Sequence, residues 1–162
     1  MPEKPLVPFD RLTSIANNLN KATDELTRVV GVLDDALQRL NVGIPVWVTV
    51  VKWSSESDPT AYECENVGYA KINGMWCIGI NRAVGDEASS EPDEVREIWP
   101  FNDAPRELRL RAVEKLPKLI DKLAESAEQT AEVVNKKLAE TKAFAAAIGL
   151  LPIEESGVRG KK

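Results

Sequence analysis

The chain has 162 residues, of which 43% are hydrophobic and 29% are charged, and its formal net charge is -5. This length is sufficient for one domain that buries its own core. The acidic balance disfavours general nucleic-acid binding, which requires a basic face. No apolar run in the sequence reaches the length of a membrane span.

Histidine is absent from the chain, and this absence excludes several chemistries. No Ser-His-Asp or Cys-His catalytic pair is possible, and no zinc site can use imidazole. The chain also lacks the motifs of phosphate-binding, dinucleotide-binding and calcium-binding loops. We therefore expect a protein that is not an enzyme and that holds no cofactor and no metal.

The cysteine count indicates the redox compartment. Only Cys64 and Cys77 are present, so the sequence implies no disulfide framework. Free thiols are typical of reducing compartments, and we expect a cytoplasmic protein with both thiols reduced.

The first predicted element is a long helix over residues 10–41, preceded by an extended lead-in over residues 1–9. Leucines recur at every seventh position, and another apolar residue follows three positions after each of the first four: Leu12, Ile15, Leu19, Ala22, Leu26, Val29, Leu33, Ala36 and Leu40. This is an unbroken a/d heptad pattern. Asp10 is a candidate N-cap, and Gly43 and Pro45 are typical of a helix end.

Four further apolar residues widen this stripe beyond what a two-stranded zipper needs: Ala16, Val30, Val32 and Leu37. A core-facing bundle helix and a dimerisation zipper are both compatible with the pattern, and the width favours the bundle. Because one helix pair cannot cover the whole stripe, we expect a homodimer or larger even oligomer, or another protein partner, at these residues.

A three-stranded antiparallel meander is predicted over residues 46–83. Residues 46–53 are rich in β-branched and aromatic residues, and Asn73-Gly74 is the preferred pair for a two-residue hairpin turn. The turn places Ile72 opposite Met75. One face of the hairpin then carries large residues and should pack on helices. The small-residue face is either exposed or approached by another backbone.

Residues 84–97 are predicted to form an acidic loop, because six carboxylates there accompany only Arg96. A solvated loop and a divalent-cation site are alternatives. The carboxylates lack the ordered spacing of a calcium loop, which favours the solvated loop.

Two further helices are predicted, over residues 104–116 and 117–148, with Pro117 separating them. Residues 150–162 are predicted to be a disordered tail. The predicted fold is therefore α+β and mainly α. Two long antiparallel helices form a coiled-coil-like stalk, the meander lies at one end, and a short helix precedes Pro117. Residues 10–149 would form a single domain.

A pocket between meander and helices is an alternative site. Trp76 and Tyr69, together with Trp47 and Trp53, could line it, although aromatic residues are more often core. Arg106 and Arg109 share a face near a helix start and could bind an anion there, although such charges are more often scattered surface groups.

A run in the middle third of the chain resembles a group of short uncharacterised bacterial proteins. The matching residues are Gly68-Tyr69-Ala70-Lys71, Gly74, Trp76 and the segment 99–109, Trp-Pro-Phe-Asn-Asp-Ala-Pro-Arg-Glu-Leu-Arg. In that group a β hairpin precedes a Trp-x-Phe…Ala-Pro-Arg segment and a Leu-rich helix. The resemblance implies a bacterial, intracellular protein and no particular activity.

Three functions follow as hypotheses. The leading one is a non-enzymatic helical interaction or self-assembly module, because the apolar stripe is wide and no catalytic constellation is present. A small-molecule binder or enzyme that uses the pocket is the first alternative. A regulator of another macromolecule, such as a toxin or a phage-defence component, is the second.

Overall fold

A computed structural model describes residues 8–152 of the chain. Its elements are α1 (Pro8–Leu40), β1 (Val46–Ser54), β2 (Ala61–Ile72), β3 (Met75–Asp86), β4 (Glu94–Pro100), a 3-10 helix (Phe101–Asp103), α2 (Arg106–Val113) and α3 (Leu116–Ala147). Most of the predicted lead-in (residues 1–7) and most of the predicted tail (residues 153–162) lie outside the described residues.

The chain divides into two units, Met1–Leu123 and Ala124–Lys162, and the boundary lies within α3. The hydrophobic core found in the described residues belongs to the first unit and extends from Val30 to Leu123. Within residues 8–152, no helix combines the length and the apolar content needed to cross a membrane.

The four strands form one antiparallel sheet in the order β1-β2-β3-β4. The predicted three-stranded meander is therefore wrong, because β4 forms where the sequence indicated the end of an acidic loop. Residues 94–98 of β4 are all exposed, and they include Glu94, Arg96 and Glu97. Charged residues suit an edge strand since they hinder pairing with other chains. Their composition hid the strand among the loop residues.

The hairpin between β2 and β3 confirms the predicted turn and register. Asn73 and Gly74 have φ values of 50° and 83°, as a two-residue turn of this kind requires. Ile72 pairs with Met75, and the register continues without a shift to Ala61 and Asp86.

The large-residue face of the sheet packs on the helices, as predicted. Its buried residues come from three strands: Val46, Val48, Val67, Tyr69, Ile78 and Ile80. They share a core with residues of all three helices, including Leu37, Leu108 and Leu119. Each large apolar side chain buried in this way contributes about 1.5–3 kcal/mol relative to exposure, which makes this face the main source of stability.

Side chains of neighbouring residues cover the small-residue face. A Cβ atom at Gly68 would overlap the Trp47 ring, and one at Gly79 would overlap the Ile72 side chain. Glycine is needed at both positions because the larger neighbours lie flat against the backbone. The same two Cβ atoms would lie 2.5 and 2.9 Å from carbonyl oxygens of the neighbouring strands, so the alternative of an approaching backbone is confirmed, and side chains cover this face as well.

The predicted coiled-coil-like stalk of two long antiparallel helices is also wrong. Within Met1–Leu123, α1 contacts β3 and the 3-10 helix. Its buried residues Val30 and Leu37 lie in the same core as the sheet, and so do Leu119 and Leu123 from the start of α3. The sheet offers a broad apolar face that accepts both helices, so the core is helix on sheet.

Side chains of two helices form hydrogen bonds with backbone groups at the margins of the sheet. Ile78 N–H donates to Asp34 Oδ1 of α1 at 2.9 Å, just beyond the last pair of β3 with β4. Burial raises the pKa of Asp34 above its ordinary value, and the bond from Ile78 opposes this rise. At the opposite edge, Lys122 Nζ donates to Trp47 O of β1 at 2.7 Å.

Candidate interaction surface

The structure separates the four predicted interaction residues of α1. Val30 and Leu37 are only 3% and 5% exposed, because they lie in the core beneath the sheet. Ala16 is partly exposed, and Val32 is 57% exposed. The protein's own sheet thus covers part of the surplus apolar surface that the sequence indicated.

The N-terminal half of α1 presents an exposed apolar line, here called the α1 seam: Leu12, Ile15, Leu19 and Ala22. Leu12, Ile15 and Leu19 are 59%, 52% and 46% exposed. Spacings of three and four residues place them on one side of the helix. The core begins to cover this side at Leu26, so residues 8–25, roughly 26 Å of helix, extend beyond it.

Polar residues border the α1 seam along one side, at Arg11, Asn18 and Glu25, each seven residues from the next. All three are exposed. The Arg28 guanidinium donates two hydrogen bonds to Glu25, of 2.7 and 3.0 Å, and these bonds hold the pKa of Glu25 below its ordinary value. This border therefore carries a positive charge, an amide and a negative charge, in that order along the helix.

The unit Ala124–Lys162 presents exposed apolar residues of its own, with exposures from 49% to 65%: Val133, Val134, Leu138 and Phe144. Its helix ends in a Schellman turn, in which Gly149 has a φ of 79° and Leu150 N–H donates to Ala145 O at 2.9 Å. A cavity of about 730 Å³ lies between the helix and the residues after this turn. It is lined mostly by alanine and leucine, and offers few polar groups that could orient a ligand.

The aromatic pair proposed for a pocket is mainly a packing feature. Tyr69 and Trp76 stack with ring centroids 5.6 Å apart, and Tyr69 is only 1% exposed. Burial raises the pKa of Tyr69, so its phenol stays neutral at physiological pH. A cavity of about 220 Å³ beside the pair is lined by Gln38 of α1 and by Asn41, which follows the helix, and is small for a metabolite.

The arginine pair proposed for an anion site faces α1 instead. Arg106 Nη2 donates to Asn20 Oδ1, and Arg109 Nη1 donates to Thr27 Oγ1, each at 3.1 Å. These partners precede Gln38 by at least 11 residues, about 16 Å of helix. The structure therefore does not bring the arginine pair and the aromatic pair into one pocket.

A buried ion cluster lies on the helix-facing side of the sheet and was not predicted from the sequence. Glu65 is 1% exposed and accepts two hydrogen bonds from Arg111 of α2, both at 3.0 Å, while Arg82 lies 3.4 Å away. Strand alternation could have revealed it, because Glu65 lies two residues before Val67 and therefore on the same face. The cluster joins α2 to β2 and β3.

A group of hydrogen-bonded polar side chains on the other face of the sheet was also not predicted from the sequence. Tyr62 Oη donates to Asp93 Oδ1 at 2.5 Å, and Asn66 Nδ2 donates to Asn81 Oδ1 at 2.8 Å. The bond to Asp93 raises the pKa of Tyr62 to about 12, and burial raises the pKa of the Cys64 thiol. Both groups stay protonated at neutral pH, which makes them poor bases and poor nucleophiles.

An open cavity of about 640 Å³ near the ends of β2 and β3 is lined by Trp53 and Tyr62 together with several carboxylates. Among residues 8–152, no group of three or more His, Cys, Asp or Glu side chains is arranged to hold a metal ion. Both cysteines are free and buried, and Cys64 pairs across the sheet with Ala83 while Cys77 pairs with Ala70.

Comparison with known proteins found no matching family model, no matching curated protein and no matching solved structure.

Proposed function

We propose that this protein is a non-enzymatic interaction protein that binds another protein chain through the α1 seam. The observation that carries the proposal is the seam itself, in which three large apolar side chains lie about half exposed in one line. Leaving such surface in water is unfavourable, and contiguous apolar patches commonly mark protein-binding sites. An apolar line at heptad spacing is complementary to another helix.

The residues favoured for a ligand pocket support the proposal through their contacts within the protein, although Arg106 Nε and Arg109 Nε are buried without a hydrogen-bond partner among the described residues. Arg106 and Arg109 bind α1, Arg111 binds the buried Glu65, and Tyr69 packs within the core. These contacts stabilise the fold, so the residues favoured for a ligand pocket act within the protein. The four residues of the α1 seam belong neither to the hydrophobic core nor to the partly buried residues that pack against it.

Site-specific photo-crosslinking in the native cell tests the proposal. A photoreactive amino acid at Ile15 should give a discrete adduct with a protein chain, because the seam contacts its partner there. The matched control is Asn17, which is exposed on the opposite side of the same helix turns. Equal adduct yields at the two positions, or none at either, would contradict the proposal.

We further propose that the protein acts in the cytoplasm of a bacterial cell. The unpaired thiols of Cys64 and Cys77 support a reducing compartment, since thiols persist there. Fractionation of the native host should recover the chain with cytoplasmic markers, and recovery with periplasmic markers would contradict this location.

A further inference from the structure

We propose that the α1 seam binds the α1 seam of a second copy of this chain, with the two helices antiparallel. This partner assignment rests on the proposed function of the seam as a protein-binding surface. It is carried by the arrangement of charges along the border of the seam and by the portion of α1 that the sheet leaves exposed.

The charges on the border of the seam are complementary to themselves when one helix is reversed. Arg11 and Glu25 occupy equivalent heptad positions on opposite sides of Asn18, each seven residues from it. In an antiparallel helix pair, equivalent border positions of the two helices face each other. A two-fold axis near Asn18 therefore places Arg11 beside Glu25 of the second copy, twice per dimer, and places the two Asn18 amides together. An amide carries both donors and an acceptor, so Asn18 can pair with its own copy.

The apolar residues fit the same register. With the axis near Asn18, Leu12 lies opposite Ala22 of the second copy, and Ile15 lies opposite Leu19 of the second copy. Large residues thus meet a small residue in the two outer layers and another large residue in the two inner layers, as antiparallel helix packing allows.

A parallel arrangement would lack the charge pairs between the two copies and would require residues that the core already buries. In a parallel pair, Arg11 would face Ala16 and Glu25 would face Val30 of the other copy, so neither charge would have a partner in that copy. Val30 is also 3% exposed and lies in the core beneath the sheet, so it cannot serve a helix pair. The antiparallel register needs only residues 8–25, the part of α1 that extends beyond the core.

Charge reversal tests the register. Arg11→Glu and Glu25→Arg each create two like-charge contacts per dimer, and we expect each variant to self-associate about tenfold more weakly than the wild type. An equimolar mixture of the two variants restores both pairs in a heterodimer, so its dissociation constant should return to the wild-type value. Sedimentation equilibrium measures all four samples. Thermal melts at low concentration verify that each variant folds, since both positions are exposed.

Two matched controls make the same charge changes on the opposite side of the helix. Lys21→Glu corresponds to the first reversal and Asp24→Arg to the second, and both residues are exposed. Both controls should self-associate like the wild type. If the controls weaken association as much as the seam variants do, the effect is one of net charge and the register is wrong.

The outcomes also separate this inference from the proposed function. A wild type that stays monomeric at tens of micromolar overturns the self-association, and so does an Ile15 crosslink within one chain. If the Ile15 adduct then contains a different protein, the proposed function stands and only the second copy is excluded. A dimer that both reversal variants leave unchanged, or that the mixture fails to restore, overturns the antiparallel register.

Discussion

Glu65 is 1% exposed, and its carboxylate is balanced by arginines that reach it from two different elements. A buried charge without a partner is costly, whereas a buried charge with good hydrogen bonds is tolerated. Arg111 provides the better geometry, because its Nε and Nη2 atoms donate to the two carboxylate oxygens separately. Arg111 is therefore the residue on which this part of the core depends.

We expect Arg111→Met to lower the free energy of unfolding by about 2–3 kcal/mol, because it leaves Glu65 buried with only the longer contact to Arg82. Urea unfolding measures the loss. The control is Arg96→Met, which removes an exposed pair with Glu94 and should cost no more than about 0.5 kcal/mol. Equal losses in the two variants would show that the buried cluster adds no stability.

Asp34 gives a prediction about pH. Burial raises its folded pKa above the ordinary value of 3.8, so the folded state binds the proton more tightly than the unfolded state. The contribution of Asp34 to stability is therefore fully present below pH 3.8 and falls as the pH rises through the folded pKa. Asp34→Asn keeps an acceptor for Ile78 N–H but has no charge to desolvate.

We expect Asp34→Asn to gain stability over the wild type at pH 7, and the gain should shrink toward pH 3.5. Urea unfolding midpoints across this range measure the difference. Asp24→Asn, at an exposed position of the same helix, should show no such trend. A loss of stability at pH 7 would mean that the charge of Asp34 strengthens the bond from Ile78 by more than burial costs it.

At the scale of elements, the β2–β3 hairpin was predictable because its information is local. Asn73-Gly74 fixes the turn, the turn fixes the register, and the register fixes which side chains share a face. β4 was not predictable in this way, since its charged residues resemble a loop until β3 is present to pair with it. The same holds for α1, whose stripe showed that it would be buried but could not show by what.

The candidate site residues show the same difference between local information and information that depends on distant parts of the chain. Heptad spacing placed Leu12 and Leu19 in the apolar stripe that the predicted second long helix would cover, whereas the structure leaves both exposed. The heptad spacing could not show that Val30 and Leu37 are buried, because their burial depends on where the sheet packs along α1. Arg106 and Arg109 were recognised as sharing a face, but their partners on α1 lie more than 80 residues away in sequence.

The turn itself supplies the prediction at this scale. A Cβ atom at Gly74 would meet nothing within 4 Å, so only the backbone conformation penalises a side chain there. We expect Gly74→Val to lower the free energy of unfolding by about 1–2 kcal/mol. Asn73→Gly keeps the positive φ accessible and should change stability by less than about 0.5 kcal/mol. A thermal melt of Gly74→Val that matches the wild type would contradict this account of the turn.

At the scale of the whole molecule, the core belongs to Met1–Leu123, and the first turns of α1 project beyond it. These first turns of α1 would be only marginally stable as an isolated helix, because most helical stability comes from tertiary packing. Association along the seam would therefore stabilise both the contact and the helix that makes it.

Thermal stability should consequently depend on concentration. We expect the melting temperature of the wild type to rise by roughly 2 °C for each tenfold increase in chain concentration, because association favours the folded chain. Ile15→Glu places a charge in the centre of the seam and should melt at one temperature throughout the series. Calorimetry at several concentrations measures both, and parallel slopes would exclude the seam as the associating surface.

The ammonium group of Lys122 affects how copies of this chain can polymerise. β1 is an outer strand of the sheet, and a free row of carbonyls there would accept a neighbour's strand and let fibres grow. Lys122 occupies the Trp47 carbonyl, and the irregularity between Thr49 and Val51 interrupts the regular spacing a few residues further on. Growth along this edge is obstructed, so open-ended aggregation is disfavoured there, whereas the proposed contact between two identical helices would close after two copies.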